Sequence, residues 1–212
     1  LPIYTGGTTG TPKGAMLSHK NLVSNTAMLR QWSKVEDCDE IILAVLPLFH
    51  AYGMTVSMNY CVACAGQIIL LPRFNQKMVA EAMAHYEPTF FPAIPTIYAA
   101  MAKYLKEKDI KFKGLRHCIS GAAPLPAETK RLFEEVTGAT LVEGYGLSEA
   151  SPVTHCNPLN GVSKPNCIGL PLPGTDCKIC DVETHEELAQ GEEGELVLRG
   201  PQIMQGYFKN QA

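Results

Sequence analysis

Five short apolar runs of strand length alternate with segments of helical apolar spacing over residues 1–150, and this alternation restricts the fold more than any other feature of the chain. The runs are Ile41 to Leu46, Gln67 to Leu71, Thr89 to Ala93, Arg116 to Ser120 and Thr140 to Glu143. Residues 19–32, 54–65, 76–86, 95–108 and 126–137 read as helices; in the fourth, Ile97, Tyr98, Met101 and Leu105 share one face. Strands that are apolar throughout are buried on both sides. The pattern predicts an α/β fold, a doubly wound, mostly parallel sheet with helices on both faces.

From residue 151 the texture changes. Pro152, Pro158, Pro165, Pro171 and Pro173 crowd one stretch without helical periodicity. Thr175 to Asp181 and Glu195 to Arg199 read as strands joined by a charged loop over 183–193. Residues 151–212 are therefore expected to be a β-rich C-terminal stretch that continues the 1–150 core and is incomplete.

A formal net charge of −3 with 18% charged residues leaves no basic footprint for nucleic acid. No apolar run is long enough for a transmembrane segment, and no leader pattern precedes a cleavage site. The chain starts on Leu1 in a strand-like segment, which reads as an excised piece of a longer protein. Eight cysteines include the pairs Cys61/Cys64 and Cys177/Cys180. Zinc would require four converging thiolates. One pair lies in an apolar run and the other in an alternating segment, so the cysteines are expected to be small core residues of a reduced, cytoplasmic protein.

The stretch Tyr4 to His19 carries the densest chemistry. Gly6, Gly7, Gly10 and Gly14 alternate with Thr5, Thr8, Thr9, Thr11 and Lys13, ahead of a helix-like continuation. Glycines let successive N–H groups turn toward an anion, hydroxyls donate hydrogen bonds, and lysine supplies a compact charge. The order is not Walker A, because no Gly-Lys pair is followed by Ser or Thr at the required spacing. A flexible Gly/Thr linker shares the composition, but Pro12 fixes one φ angle and Met16-Leu17 reads as packed.

Three further segments stand out. Pro47 to Gly53, containing Phe49 and His50, follows a buried strand, where open α/β sheets place their ligands; a histidine there is structural in many other settings. Ser120 to Leu125 is a small-residue turn. Glu143 to Glu149 sets Tyr145 between Gly144 and Gly146, followed by Ser148 and Glu149, whose carboxylate is the hard-oxygen donor that magnesium prefers. The same residues nearly form a serine-hydrolase elbow, Gly146-Leu-Ser-Glu-Ala150, with His155 and His185 downstream.

The string Tyr4-Thr-Gly-Gly-Thr-Thr-Gly-Thr-Pro-Lys-Gly14 closely resembles the signature of the adenylate-forming (AMP-binding) superfamily of acyl- and aryl-CoA ligases, luciferases and peptide-synthetase adenylation domains. Gly6, where many members carry serine, resembles the long-chain fatty acyl-CoA ligase branch. The segments around His50, Gly121 and Tyr145 resemble further motifs of that superfamily in the same order, and so do Gly169 to Gly174, Gly194 to Pro201 and Met204 to Tyr207, which look structural.

The resemblance implies ATP-dependent activation of a carboxylic acid, most like a long-chain fatty acid, to an acyl-adenylate and then to acyl-CoA. ATP, magnesium and coenzyme A are the implied cofactors and co-substrates. Thr5, Gly6, Gly7, Thr8, Thr9, Gly10 and Lys13 would hold phosphates. Thr8 and Glu149 would hold magnesium. His50 would lie beside the acyl carboxylate with Phe49 as a wall, and Gly121, Ala122 and Ala123 would line the adenine and acyl pockets. Glu143, Gly144, Tyr145, Gly146 and Ser148 would border the nucleotide, with Tyr145 packed on adenine. Lys13, His50 and Glu149 are the implied catalytic residues.

The implied partners are small molecules, and the location is cytoplasmic with room for peripheral membrane association in the parent enzyme. A ribose-binding aspartate, a hinge and a small C-terminal domain with a catalytic lysine would lie beyond Ala212, so the piece is not expected to complete the cycle at a normal rate. Aryl or medium-chain acids, a nucleotide-binding module without turnover, and the serine hydrolase remain as alternatives.

Overall fold

A computed structural model describes residues 1–5 and 12–209. The chain opens with an antiparallel hairpin of β1 (Pro2–Thr5) and β2 (Lys13–Met16), in which Thr5 faces Lys13. The loop between them, Gly6 to Thr11, lies outside the described residues. Between that loop and the first helix lies β2, whose main chain is claimed by β1 on one side and by the Gln205 to Phe208 segment on the other. Helix α1 (His19–Ser33) starts after Ser18, where the helix expected over 19–32 begins. There the Ser18 hydroxyl accepts from the Asn21 N–H at 3.2 Å, and the Asn21 side-chain oxygen accepts from the Ser18 N–H at 2.8 Å, a reciprocal cap that fixes the first turn.

Alternating strands and helices follow: β3 (Ile41–Ala44), a π-helical segment Gly53–Asn59 running into α2 (Tyr60–Ala63), β4 (Gln67–Leu70), α3 (Gln76–Tyr86), β5 (Phe90–Ala93), α4 (Pro95–Lys108), β6 (His117–Ser120), α5 (Ala127–Thr137) and β7 (Thr140–Gly146). After a 3₁₀ turn at Ser148–Ala150 come β8 (Val153–Cys156) and β9 (Leu170–Pro171), and then a separate antiparallel hairpin of β10 (Asp176–Cys180) and β11 (Glu195–Arg199). The central sheet has the order β4-β3-β5-β6-β7-β8-β9. The strands from β4 to β7 are parallel, and β8 and β9 continue the sheet antiparallel.

The two-residue period of a strand sorts the core into two layers. Ile42, Phe90, Ile119 and Val142 pack with Met28 and Leu29 of α1, Val56 of the π-helical segment and Tyr60 of α2. Their neighbours Leu43, Phe91, Cys118 and Leu141 pack with Val79 and Met83 of α3, Tyr98 and Met101 of α4 and Phe133 of α5. Helices on both faces of a mostly parallel sheet are the expected architecture. Such continuous burial is why these strands read as unbroken apolar runs.

Several local expectations are corrected. β7 runs past Glu143 to Gly146 because β8 pairs with its far end. β8 itself was hidden behind Pro152, yet all four of its residues are buried. The helix expected over 54–65 is π-helical over Gly53–Asn59 and ends at Ala63. Cys38, Cys167 and Cys177 are exposed, whereas Cys61, Cys64, Cys118, Cys156 and Cys180 are buried, so only part of the cysteine set is core. No helix among the described residues is long and apolar enough to cross a membrane.

One side chain ties the first helix to the far end of the sheet. Asn25, fully buried on α1, donates to the Val153 carbonyl at 2.6 Å and accepts from the Val153 N–H at 3.0 Å. Removing the amide strands a buried donor and acceptor together. Asn25→Ala is expected to cost about 2–4 kcal/mol of unfolding free energy, seen as a lower urea midpoint at constant slope; a midpoint within error of the parent would show the clamp to be dispensable.

Candidate active site

The carboxyl ends of β6 and β7 open into a cavity of about 340 Å³, closed on its other sides by the end of β1 and the segment after β3. Thr5, His50, Gly121, Ala122, Gly144, Tyr145, Gly146, Ser148 and Glu149 all line it. These residues come from four segments spread over most of the chain, and a loop at the carboxyl end of a parallel strand is where α/β sheets bind ligands.

Local backbone chemistry explains each wall. β7 ends in an irregular pairing at Tyr145 and Gly146, where an added Cβ on Gly146 would stand 2.2 Å from the Pro152 carbonyl oxygen. Only glycine permits that approach. The β7 backbone then turns into the 3₁₀ segment that carries Ser148 and Glu149. Tyr145 faces His155 across the strand pair, with ring centres 6.4 Å apart in an edge arrangement. Gly121 lines the cavity, and its missing side chain also makes room for the Tyr52 ring, which a Cβ would meet at 3.1 Å. Ala122 follows at a φ of 68°, a conformation unusual for a residue with a side chain and a small reserve of strain beside the cavity.

Polar groups are held in defined orientations. The His50 Nδ1 accepts from the Tyr52 N–H at 3.1 Å, so a neutral imidazole carries its proton on Nε2. The Tyr52 hydroxyl donates to the Ile119 carbonyl at 2.6 Å, and burial raises its pKa well above the ordinary phenol value. Glu149 accepts at Oε1 from the Tyr207 hydroxyl at 2.7 Å, a bond that raises the Tyr207 pKa. The Lys13 ammonium lies over the Tyr207 ring, 5.1 Å from its centre.

Some expected site residues stand apart. Glu143 and Ala123 do not line the cavity. Burial raises the Glu143 pKa, and the Leu125 backbone lowers it by less. Phe49, expected as a wall beside His50, is 85% exposed and borders a separate apolar groove with Leu46, Leu71 and Phe74. Lys13 meets the site through Tyr207. Gly6, Gly7, Thr8, Thr9 and Gly10 lie outside the described residues. Tyr52, Pro152, Val153 and Tyr207 were missed as site residues. Tyr52 and Tyr207 sit inside motif segments, but nothing in their spacing shows which way a side chain turns.

The serine-hydrolase arrangement is not assembled. His155 is buried, its Nδ1 is engaged with the Thr154 hydroxyl at 3.0 Å, and no hydrogen bond joins it to Ser148 among the described residues. Burial also lowers its pKa.

Residues 2–208 match the AMP-binding enzyme family, and the chain belongs to that family. It is 46% identical over 206 residues to the long-chain-fatty-acid–CoA ligase of Bacillus subtilis (strain 168), an overlap that covers 97% of this chain and 37% of that protein. Among solved structures, ATP-bound MatB from Rhodopseudomonas palustris superposes with a TM-score of 0.87 at 33% identity, over 98% of this chain and 41% of that one. A long-chain-fatty-acid-CoA ligase from Archaeoglobus fulgidus does so with a TM-score of 0.87 at 29% identity, over 98% and 43%. The chain therefore spans less than half the length of these relatives.

The Tyr207–Glu149 bond has a direct signature. Glu149→Gln removes the anion that holds the phenol protonated, so the Tyr207 pKa is expected to fall back toward about 10. Ultraviolet difference titration against Tyr207→Phe reads this, and an unchanged Tyr207 titration would show that the bond does not form in solution.

Proposed function

We propose that the full-length protein activates a carboxylic acid, a long-chain fatty acid, with ATP and passes the acyl group to coenzyme A. A carboxylate oxygen attacks the α-phosphorus, the bond to the β-phosphate breaks and pyrophosphate leaves. The sulfur of coenzyme A then attacks the acyl carbon and AMP leaves. The observation that carries this reading is the convergence of Thr5, His50, Gly121 and the Tyr145 to Glu149 turn on one cavity at the carboxyl ends of β6 and β7. The similarity to a protein named as a long-chain-fatty-acid–CoA ligase supports the choice of acid, and the ATP-bound structural relative supports the nucleotide.

In this reading residues 1–150 are the nucleotide-binding core and 151–212 its β-rich continuation, in a protein that works in the cytoplasm. Tyr145 offers its ring to the adenine, and the small Gly121 and Ala122 leave the base room to approach the backbone. Ser148 reaches a phosphate oxygen, and Lys13 with the Thr5 to Gly10 loop carries phosphate charge. His50 presents its Nε2 proton to the carboxyl group of the acid and orients it for attack. The donor set fits magnesium: Glu149 has Oε1 engaged by Tyr207, its Oε2 makes no hydrogen bond among the described residues, and magnesium needs only one or two carboxylates when phosphates supply the other oxygens. When bound, the ion would neutralise charge on the phosphates.

The test is acid-dependent exchange of labelled pyrophosphate into ATP by the full-length protein, across fatty acids of increasing length and aryl acids. Long chains are expected to give the highest kcat/KM. Lys13→Ala, His50→Ala and Glu149→Ala are each expected to lower it by on the order of 100-fold. Exchange that is absent with every acid would sink the activity, and preference for an aryl acid would reassign the substrate.

A further inference from the structure

Tyr207 occupies a junction that its place in the sequence does not suggest. The segment around it runs antiparallel beside β2, bridged at Ala15 and Tyr207: Gln205 N–H donates to the Met16 carbonyl at 2.9 Å, Met16 N–H to the Gly206 carbonyl at 2.9 Å, and Phe208 N–H to the Gly14 carbonyl at 2.7 Å. A fourth bond, from Met204 N–H to the Glu149 carbonyl at 2.8 Å, fastens the same segment to the 3₁₀ turn. The backbone thus fixes Tyr207 between the strand that leaves the glycine-rich loop and the turn that carries Glu149. Its side chain serves both, because the hydroxyl donates to Glu149 Oε1 at 2.7 Å while the ring face receives the Lys13 ammonium, 5.1 Å from its centre.

We propose that Tyr207 is a positioning residue that ties Glu149 and Lys13 into one unit and, by occupying Oε1, restricts Glu149 to one-oxygen coordination of the metal. This rests on the placement of the nucleotide and metal given under Proposed function. Magnesium is small, octahedral and bound by single carboxylate oxygens, whereas calcium accepts carboxylates in the one-oxygen or the two-oxygen mode. A carboxylate with one oxygen already bonded to a phenol keeps the mode that magnesium uses and withdraws the two-oxygen mode open to calcium. The ring makes a separate contribution: its face attracts the ammonium and holds Lys13 toward the phosphates with or without a metal.

The two functions separate in variants. Tyr207→Phe keeps the ring and loses the hydroxyl; Tyr207→Leu loses both. ATP binding to the full-length protein is measured by calorimetry in chelator, with magnesium and with calcium, for the parent, both variants and Glu149→Ala. Tyr207→Phe is expected to leave metal-free binding unchanged, to weaken binding with magnesium about tenfold, and to narrow the preference for magnesium over calcium. Tyr207→Leu is expected to weaken metal-free binding as well, by about threefold.

Equal weakening of Tyr207→Phe in all three conditions would mark a merely structural tyrosine and overturn the proposal. So would parent-like binding of Tyr207→Phe in all three. If Glu149→Ala binds ATP with magnesium as tightly as the parent, the metal placement fails and takes the proposal with it. If Glu149→Ala is weakened and Tyr207→Phe is not, the proposal alone fails.

Discussion

A parallel sheet covered by helices on both faces leaves polar chemistry only one outlet, the ends of its strands. Ile42 and Leu43, Phe90 and Phe91, Ile119 and Cys118, and Val142 and Leu141 face opposite ways and are all buried. With both surfaces of β3, β5, β6 and β7 committed to packing, the loops beyond Ala44, Ser120 and Gly146 are where side chains can face a ligand. His50, Gly121, Ala122 and Tyr145 gather there for that reason. The site follows from how the core is buried.

That arrangement holds only if distant segments are fastened to the sheet, and α1 does much of the fastening. Asn25 bonds both the N–H and the carbonyl of Val153. Asn21, one turn earlier, caps its own helix and donates to the carbonyls of Pro201 and Ile203 at 2.8 and 2.7 Å. Two amides on one helix thus join residues more than a hundred positions away in sequence. Buried amides of this kind carry specificity as well as stability, since each wrong register leaves polar groups unpaired.

The legible parts of the fold were those with a local signal. β3 to β7, α1 and α3 to α5 announced themselves through apolar runs and helical spacing. β8 was illegible because Pro152 precedes it and four buried residues offer no alternation. β2 was masked by its glycine and its closeness to the loop, since its strand conformation depends on partners at both edges. Within the site, Tyr145, His50 and Glu149 could be named from motif context, while the packing of Gly121 could not. Its missing side chain accommodates Tyr52, a contact between residues nearly seventy positions apart.

The sequence by itself determined the class of fold, the family and the segments that carry chemistry, because periodicity and glycine placement are local properties that packing reinforces. Only the tertiary structure decided which side chains meet: that Glu143 stands apart from the cavity, that Phe49 faces outward, and that Tyr207 stands between Lys13 and Glu149. Those outcomes depend on strand order and on main-chain bonds that span the chain, such as Phe208 to Gly14 and Met204 to Glu149. Spacing along a sequence constrains neighbours within a turn or a strand, and contacts at such separations are set by the packing of whole elements.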